Sequence, residues 1–488
     1  MNPILYQINT RVWRHRFGPN TQLLDIPNTY WKKLANLGVE FVWLMGVWQT
    51  GPNVLGYALE LGLKTAYSSV LPDWTEADVI GSPYAIDRYV LHQDLGQPKD
   101  LKTLKKRINK HGLKLILDFV PNHFHAESSW IKERPDVFLE VSPPQLQLDK
   151  HTFYRSPVAE ERVFAHGKDP YFAAWQDTIQ VNYAAGSAQQ FMQEQLLNIA
   201  EVCDGVRCDM AMLPVPDVFA RTWGHAIDTH AHEIQSFWPE AIQQVRKQQP
   251  DFCFIAEVYW DMEWELQQQG FDYTYDKRLR DRLIQLDTPG VKGHLLADLA
   301  FQSASVRFLE NHDEDRILSE LDPTQAQAAA LISYTTPGMR FFYEGQWEGR
   351  RKRLPVQLGR LPEEVDFAVP SPISYKGVFD KLPGFAPLNA REPAFYEYLL
   401  ALLSRATLQQ GHWRLVQLPD HPHLVYSQWT LKDEQICILV NYQQERMQVP
   451  PNLWTGEWDF LLPTHEKKLV QFPLSLAPFQ WVVMEKRI

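Results

Sequence analysis

Four short stretches gather the residues able to do chemistry. They are Asp118-Phe119-Val120-Pro121-Asn122-His123, Gly205-Val206-Arg207-Cys208-Asp209, Ile255-Ala256-Glu257 and Glu310-Asn311-His312-Asp313. Each begins in, or directly follows, an apolar run of strand-like character. In the second, Val206 and Cys208 are one pleat apart, so Arg207 and Asp209 share the opposite face. Taken alone, Cys203–Met210 fits a buried ion pair as well as it fits a functional site. Taken together, three acids, two histidines and one arginine at such strand ends exceed what ion pairing needs. Arg207 is the only cation of the four stretches, and none contains a lysine.

The elements that must position these groups alternate strand and helix. Apolar strands are predicted at Ile4–Ile8, Val39–Met45, Leu113–Asp118, Gly205–Asp209, Phe252–Glu257, Phe271–Tyr275, Ser305–Leu309 and Met339–Tyr343. Helical patterns fall at Trp31–Gly38, Asp100–Gly112, Ser187–Val202, Pro239–Gln248, Thr324–Tyr334 and Ala390–Ala406. Near-continuous apolar strands with helices between them imply a parallel sheet covered by helices. Eight such units point to the α/β class and a closed (β/α) barrel. In that fold the ends of the third, fourth, fifth and seventh strands converge on one rim, the C-terminal one, where active sites lie.

Two regions break the rhythm. Residues 124–183 replace periodicity with Pro, Ser, Gln and aromatics such as Phe153, Tyr154, Phe164, Tyr171, Phe172 and Trp175, which favours an ordered excursion domain. The segment from Gly46 to about Pro98 reads as irregular. After residue 410, Leu424–Trp429, Glu434–Tyr442, Gly456–Leu462 and Phe479–Glu485 read as strands with no helices, an antiparallel β-sandwich domain. The division expected is therefore 1–123 and 184–410 for the barrel, 124–183 for the excursion and 411–488 for the C-terminal domain.

Composition narrows the partner. Of the 488 residues 45% are hydrophobic and 22% charged, as in ordinary soluble enzymes, and the net charge is −11. An acidic chain argues against nucleic acid or an anionic membrane and fits a neutral or small-molecule substrate. The sequence holds 17 Trp, 19 Tyr and 25 Phe, rings able to stack on sugar faces, though most serve as core. Cys203, Cys208 and Cys253 lie in apolar strand-like runs and, with Cys437, read as reduced thiols. The start, Met1-Asn2-Pro3-Ile4-Leu5-Tyr6-Gln7-Ile8, runs straight into a strand, and no apolar run reaches membrane-spanning length. The expectation is a cytoplasmic protein.

In this order the four stretches resemble the signature regions of the α-amylase family of retaining glycoside hydrolases and transglycosylases. Tyr6-Gln7-Ile8 resembles the family's first strand. Ser82-Pro83-Tyr84-Ala85-Ile86-Asp87-Arg88-Tyr89 resembles its tyrosine-containing segment, and Trp175–Tyr183 the end of its excursion domain. The resemblance implies Asp209 as nucleophile, Glu257 as general acid/base and Asp313 as the third carboxylate. His123 and His312 would donate to sugar hydroxyls, and Tyr84 would stack under the reacting sugar. Retention needs two carboxyl groups about 5–5.5 Å apart. Arg207 can hold Asp209 charged and aimed. The apolar approach to Glu257 can raise its pKa so that it keeps its proton. Asp118 reads as structural, orienting Arg207 or Asn122.

The chain also departs from the family. Where many members carry a Lys-His pair after the nucleophile, this chain has Met212-Leu213. Contacts to the leaving sugar must differ, and Trp48 and Trp260 are the aromatics that could take them over. The chemistry needs no cofactor. The family often binds a structural Ca²⁺, for which Asn122 and Asp177 match two ligands; a hard cation wants about six to eight oxygens. Three functions fit. The first is hydrolysis of α-1,4-glucosidic bonds in starch- or glycogen-derived glucans and maltooligosaccharides. The second is transfer through the same intermediate, of glucanotransferase or maltosyltransferase type. The third is non-catalytic sugar binding, whose practitioners normally lack one of the acids.

Overall fold

The eight expected strands close into one barrel in the computed structural model. They are β1 (Ile4–Asn9), β2 (Val39–Met45), β3 (Lys114–Phe119), β4 (Gly205–Cys208), β5 (Cys253–Ala256), β6 (Tyr273–Tyr275), β7 (Ser305–Arg307) and β8 (Met339–Tyr343). Each pairs in parallel with its sequence neighbours, and β1 closes on β8. The structure describes all residues except 1, 61, 160–161, 365–391, 451–452, 455–456, 462–466, 470–473 and 488.

Alternation along each strand sorts side chains into two cores. Leu5, Phe41, Trp43, Ile116, Ile255 and Phe341 fill the lumen. Ile4, Val42, Leu115, Val206, Phe254 and Phe342 face outward under the helices. On β4 this period places Val206 and Cys208 outward and Arg207 inward, so the arginine crowns the lumen. Gly205 opens β4 because the backbones there approach closely: a Cβ would stand 2.5 Å from the Cys253 carbonyl oxygen.

The helices Asn28–Asn36, Asp100–Asn109, Gly186–Ala200, Phe237–Gln248, Pro323–Tyr334 and Glu392–Leu403 fall where the 3.6-residue period placed them. The predicted ends at Ala390 and Arg391 of the last one lie outside the described residues. A helix at Pro216–Ile227 was not anticipated. The segment read as irregular carries a ribbon, Trp48–Thr50 with Ile86–Leu91, and two seven-residue helices. Helices of two turns are too short for their period to show against a Gly- and Ser-rich background.

Between β3 and the Gly186–Ala200 helix, His123–His125 pairs antiparallel with Thr178–Gln180, and a three-stranded sheet joins Glu140–Val141, Val163–Ala165 and Phe153–Arg155. Beyond residue 411 a six-stranded antiparallel sheet forms, including a strand at His412–Val416 that the sequence did not suggest. Its predicted edges Gly456 and Leu462 lie outside the described residues. Both faces of this sheet are buried. Val425, Trp429, Ile436, Ile438 and Val440 join the barrel's outer core. Leu424, Tyr426, Cys437, Leu439 and Met484 pack on the second layer, which includes Trp454 and Leu476. Among the described residues no helix is long and apolar enough to cross a membrane.

Candidate active site

The four predicted strand ends meet above the barrel. Arg207, fully buried, is their hub. Its Nη1 donates to Asp209 Oδ1 at 2.6 Å, and its Nη2 lies 2.8 Å from Glu257 Oε2, off the line of a hydrogen bond, so that contact is electrostatic. Asp118 stands further off, 3.8 Å from Nη1. The guanidinium carbon sits 5.1 Å from the Trp43 ring centre and 5.4 Å from that of Tyr84, a cation–π seat in a dry site. Burial works against the charge of Arg207, and Glu257 foremost restores it. One guanidinium thus holds two carboxyl groups side by side.

Glu257 is set by three neighbours. Met210, just past β4, adopts a positive φ of 42°. That left-handed turn aims its N–H at Glu257 Oε2, 2.7 Å away. The Tyr259 hydroxyl donates to Oε1 at 2.9 Å. Burial pushes the Glu257 carboxyl up to about 7; Arg207 opposes this and the charges of Asp209 and Asp313 add to it. Period two on the strand puts Glu257 and Tyr259 on one face, so the tyrosine was legible and was overlooked.

Asp313 hangs over the mouth, its side chain about half exposed. The Asn311 side chain accepts from the backbone N–H groups of Asp313 and Glu314, both at 2.8 Å, and folds this turn. Crowding by the rim partly desolvates the Asp313 carboxyl and pushes it up, but its exposed side keeps that effect small, and His312 at 3.0 Å, with Arg207 and Arg353, outweighs it and holds the group below the usual range. Gln7 Nε2 lies 2.8 Å from His312 Nδ1. With Gln7 donating there, the imidazole proton belongs on Nε2, which faces Asp313 Oδ2 and, at 2.6 Å, the Tyr84 hydroxyl. Gln7 is a polar residue amid the apolar run Ile4–Ile8, and no site role was assigned to it from sequence. Glu310, by contrast, is an anchor, bound to Arg316 and to the Ile317 N–H at 2.7 Å each.

His123 is buried, and desolvation lowers its pKa to about 4, so it stays neutral; Asp209 acts weakly the other way. Its ring packs against Trp175 from the excursion segment, 5.3 Å between centres. Tyr84 stacks on His312 at 5.4 Å and 26°. Asp118 accepts from the Trp43 indole at 3.2 Å and the Gly46 amide at 3.0 Å, and burial raises it to about 6. It braces the floor, as its structural reading implied.

Two expectations need correction. Trp48 cannot stack on a sugar: it is 1% exposed, and its indole donates to the Asp118 carbonyl at 2.7 Å. Trp260 remains, partly exposed, with its ring edge-on to exposed Tyr171 at 4.9 Å. The other concerns Asn122 and Asp177, which do not converge. Along the ribbon Asn122 accepts from the Val181 amide and Asp177 from the Ala126 amide. Four residues of strand, about 13 Å, separate the two positions. Asn122 Oδ1 is already engaged by Gln180 Nε2 at 2.9 Å. Among the described residues no group of three or more His, Cys, Asp or Glu side chains could hold a metal ion. The pair does not fit a shared Ca²⁺. Met212 and Leu213, in place of the expected polar pair, are core residues, 0% and 3% exposed.

Comparison with known proteins matches this arrangement. Residues 31–360 fit the model of the alpha-amylase catalytic domain. The chain is 22% identical to alpha-amylase 3 of Dictyoglomus thermophilum over 437 residues, 82% of this chain and 81% of that protein. Its fold is similar to that of an alpha-amylase from Lactobacillus plantarum (TM-score 0.67, 18% identity, 99% of each chain covered). It is also similar to a maltogenic alpha-amylase from Thermotoga neapolitana (TM-score 0.68, 16% identity, 100% of this chain and 99% of that one). A barrel whose third, fourth, fifth and seventh strand ends carry these groups, and a family model spanning two thirds of the chain, lead to one conclusion: the chain belongs to the α-amylase family of glycoside hydrolases.

Proposed function

We propose that the protein hydrolyses α-1,4-glucosidic bonds in maltooligosaccharides, such as those derived from starch or glycogen, with retention at the anomeric carbon. Asp209 attacks that carbon, Glu257 protonates the departing oxygen and then activates water, and Asp313 grips hydroxyls of the flattening ring. The observation that carries this reading is the shared guanidinium of Arg207. Carboxyl groups held by two nitrogens of one side chain are neighbours, which supports the separation of about 5–5.5 Å that retaining enzymes use. Environment divides the labour. Glu257 is raised to about 7 and can hold a proton near neutrality, while Asp313 is held down and carries charge. In this reading Tyr84, set by His312 and Arg207, packs under the reacting sugar, and neutral His123 and Nε2-protonated His312 donate to its hydroxyls. No step needs a metal.

Transfer to a second sugar has one supporting observation, the exposed ring of Tyr171 edge-on to Trp260, which follows Glu257 by three residues. One or two stacks compete poorly with bulk water, so hydrolysis is preferred. A non-catalytic role conflicts with the presence of all three acids. We read the protein as cytoplasmic, which four buried free thiols support.

The test is to incubate the full chain with one pure maltooligosaccharide, with and without phosphate, and follow products by chromatography and anomeric NMR. Shorter sugars released first as the α-anomer are expected. Products longer than the starting sugar at early times, a sugar phosphate, or initial β-anomer would overturn the reading.

A further inference from the structure

Among the loops that follow β1, β2 and β8 lies a cavity of about 320 Å³ that none of the catalytic groups lines. Its walls carry Arg11, Arg14, His15, His92, Thr50 and Asp94, closed on one side by the Asp78–Arg360 pair. We propose that it binds a phosphate group, either inorganic phosphate or the phosphate of a phosphorylated hexose.

Arg11 is the core of the argument. It follows β1, is only 8% exposed, and its stem runs past Gly46, where a Cβ would stand 3.6 Å from Arg11 Cδ. Its Nη2 donates to the carbonyls of Ile80 and Gly81 at 2.7 and 2.9 Å. Its Nη1 is buried and has no acceptor. A buried cationic donor without a partner is costly, and an oxyanion is the acceptor that best relieves it.

The charges around it do not cancel. Arg360 is committed to Asp78 at 2.7 Å and to Asp73 at 3.2 Å. With Asp78 on the cavity wall bound to Arg360, Asp94, 59% exposed, is among the described residues the carboxylate that acts on Arg11, Arg14 and His92. His92 Nδ1 accepts the Asp94 N–H at 3.3 Å, so the neutral ring carries its proton on Nε2 as a further donor. Arg14 spends one nitrogen on the Thr21 carbonyl and keeps others. Burial depresses Arg11, Arg14, His15 and His92; Asp94 opposes it at all four, while the neighbouring arginines add to it at Arg11, His15 and His92. A bound dianion would relieve all four. The volume is at the lower end for small-molecule sites and exceeds a bare phosphate, so a sugar bearing one also fits.

Calorimetric titration of the full chain with inorganic phosphate, glucose 6-phosphate and glucose tests this. Saturable binding of phosphate or glucose 6-phosphate, but not of glucose, is expected. Equal affinity for the two anions identifies free phosphate as the ligand, and tighter glucose 6-phosphate identifies a sugar phosphate. Arg14→Gln should weaken the anion about tenfold while maltooligosaccharide cleavage and the melting temperature stay unchanged. His92→Gln is the second variant, should Arg14→Gln fail to fold, and the same weakening is expected. Asp209→Asn should leave anion affinity unchanged. The proposal is overturned if neither anion binds at millimolar concentration, if the cavity variants bind as well as the parent, or if Asp209→Asn alters the affinity, which would place the anion in the catalytic site.

Discussion

In the proposed mechanism the chemistry is a property of single residues, because the Arg207 side chain holds both Asp209 and Glu257. On that reading Asp209→Asn removes the attacking charge and keeps the shape. Activity on maltooligosaccharides should fall by at least about 10³-fold with the fold intact by circular dichroism. Glu257→Gln removes only the proton donor. Cleavage of maltooligosaccharides should drop about 10²–10⁴-fold, while a glucosyl fluoride, which needs no protonation, should still form the intermediate quickly. The pH profile follows from the same residue. Glu257 must be protonated to act, and its carboxyl is raised to about 7, so kcat/KM should decline as pH rises through about 7. A rate that keeps climbing above pH 8 would remove Glu257 from the acid's role.

At the scale of elements, short strained turns do the aiming. The chain leaves β4 through Met210 and leaves β5 through Trp260 and Asp261, all with positive φ. The first turn points an amide at Glu257. The second sets the Trp260 ring beside Tyr171, and Asp261 is clamped by Arg278 at 2.6 and 2.7 Å. Such conformations cost about 1–3 kcal/mol each in non-glycine residues and persist where surroundings impose them. Trp260 stands three residues past Glu257, and in the proposed mechanism its ring stacks on the leaving-side sugar. Trp260→Ala should raise KM for maltotetraose about fivefold, one aromatic contact of about 1 kcal/mol, with kcat on a nitrophenyl glucoside nearly unchanged. Equal losses on both substrates would mean the turn, rather than the ring, is what matters.

The whole molecule depends on the C-terminal sheet and on many buried titratable groups. The sheet's barrel-side face includes Trp429, Ile436, Ile438, Val440 and Trp481, and the Trp429 indole donates to the Thr335 carbonyl at 2.7 Å. Burying such side chains contributes about 1.5–3 kcal/mol each. Deleting 411–488 would remove more than the total stability of a typical domain, about 5–15 kcal/mol, and the truncated chain should be insoluble on expression. Stability should also respond to pH in a definite sense. Glu257, Glu263 and Glu348 are raised by burial to about 7, and Asp118 and Asp177 to about 6. Above their unfolded pKa these groups hold protons that the unfolded chain has released, so stability falls as pH rises. His123, His125 and His166, lowered by burial to about 4, work the other way between about pH 4 and 6.5. His15 and His92, also lowered by burial, act with them, and because unfolded histidines release protons around pH 6.5 the two sets offset each other up to about pH 7. From about pH 7 to 8 the histidines are spent while Glu257, Glu263 and Glu348 still titrate, and the melting temperature measured by calorimetry should decline. A rise there would contradict the burial of these acids.

Sequence alone determined the barrel and the groups it carries. Eight apolar strands of the right length in alternation with helices admit few other folds, because period and burial are local properties. For the same reason Asp209, Glu257 and Asp313 were legible as strand-end acids, and Arg207 as sharing a face with Asp209. What sequence could not decide was distance. Gln7 reaches His312 across 305 positions, and Trp43 reaches Asp118 across 75. Only barrel closure brings them together. Trp48 and Trp260 looked alike as aromatics after a strand, yet closure buries one under Asp118 and leaves the other at the mouth. Asn122 and Asp177 matched a pattern of metal ligands, but an antiparallel ribbon sets them at opposite ends. Arg11 sits in an unremarkable basic run, and its unpaired donor exists only because the loops after β1, β2 and β8 fold over it. Which side chains meet is a property of the closed molecule, since register and loop path, unlike strand period, are set by packing between distant segments.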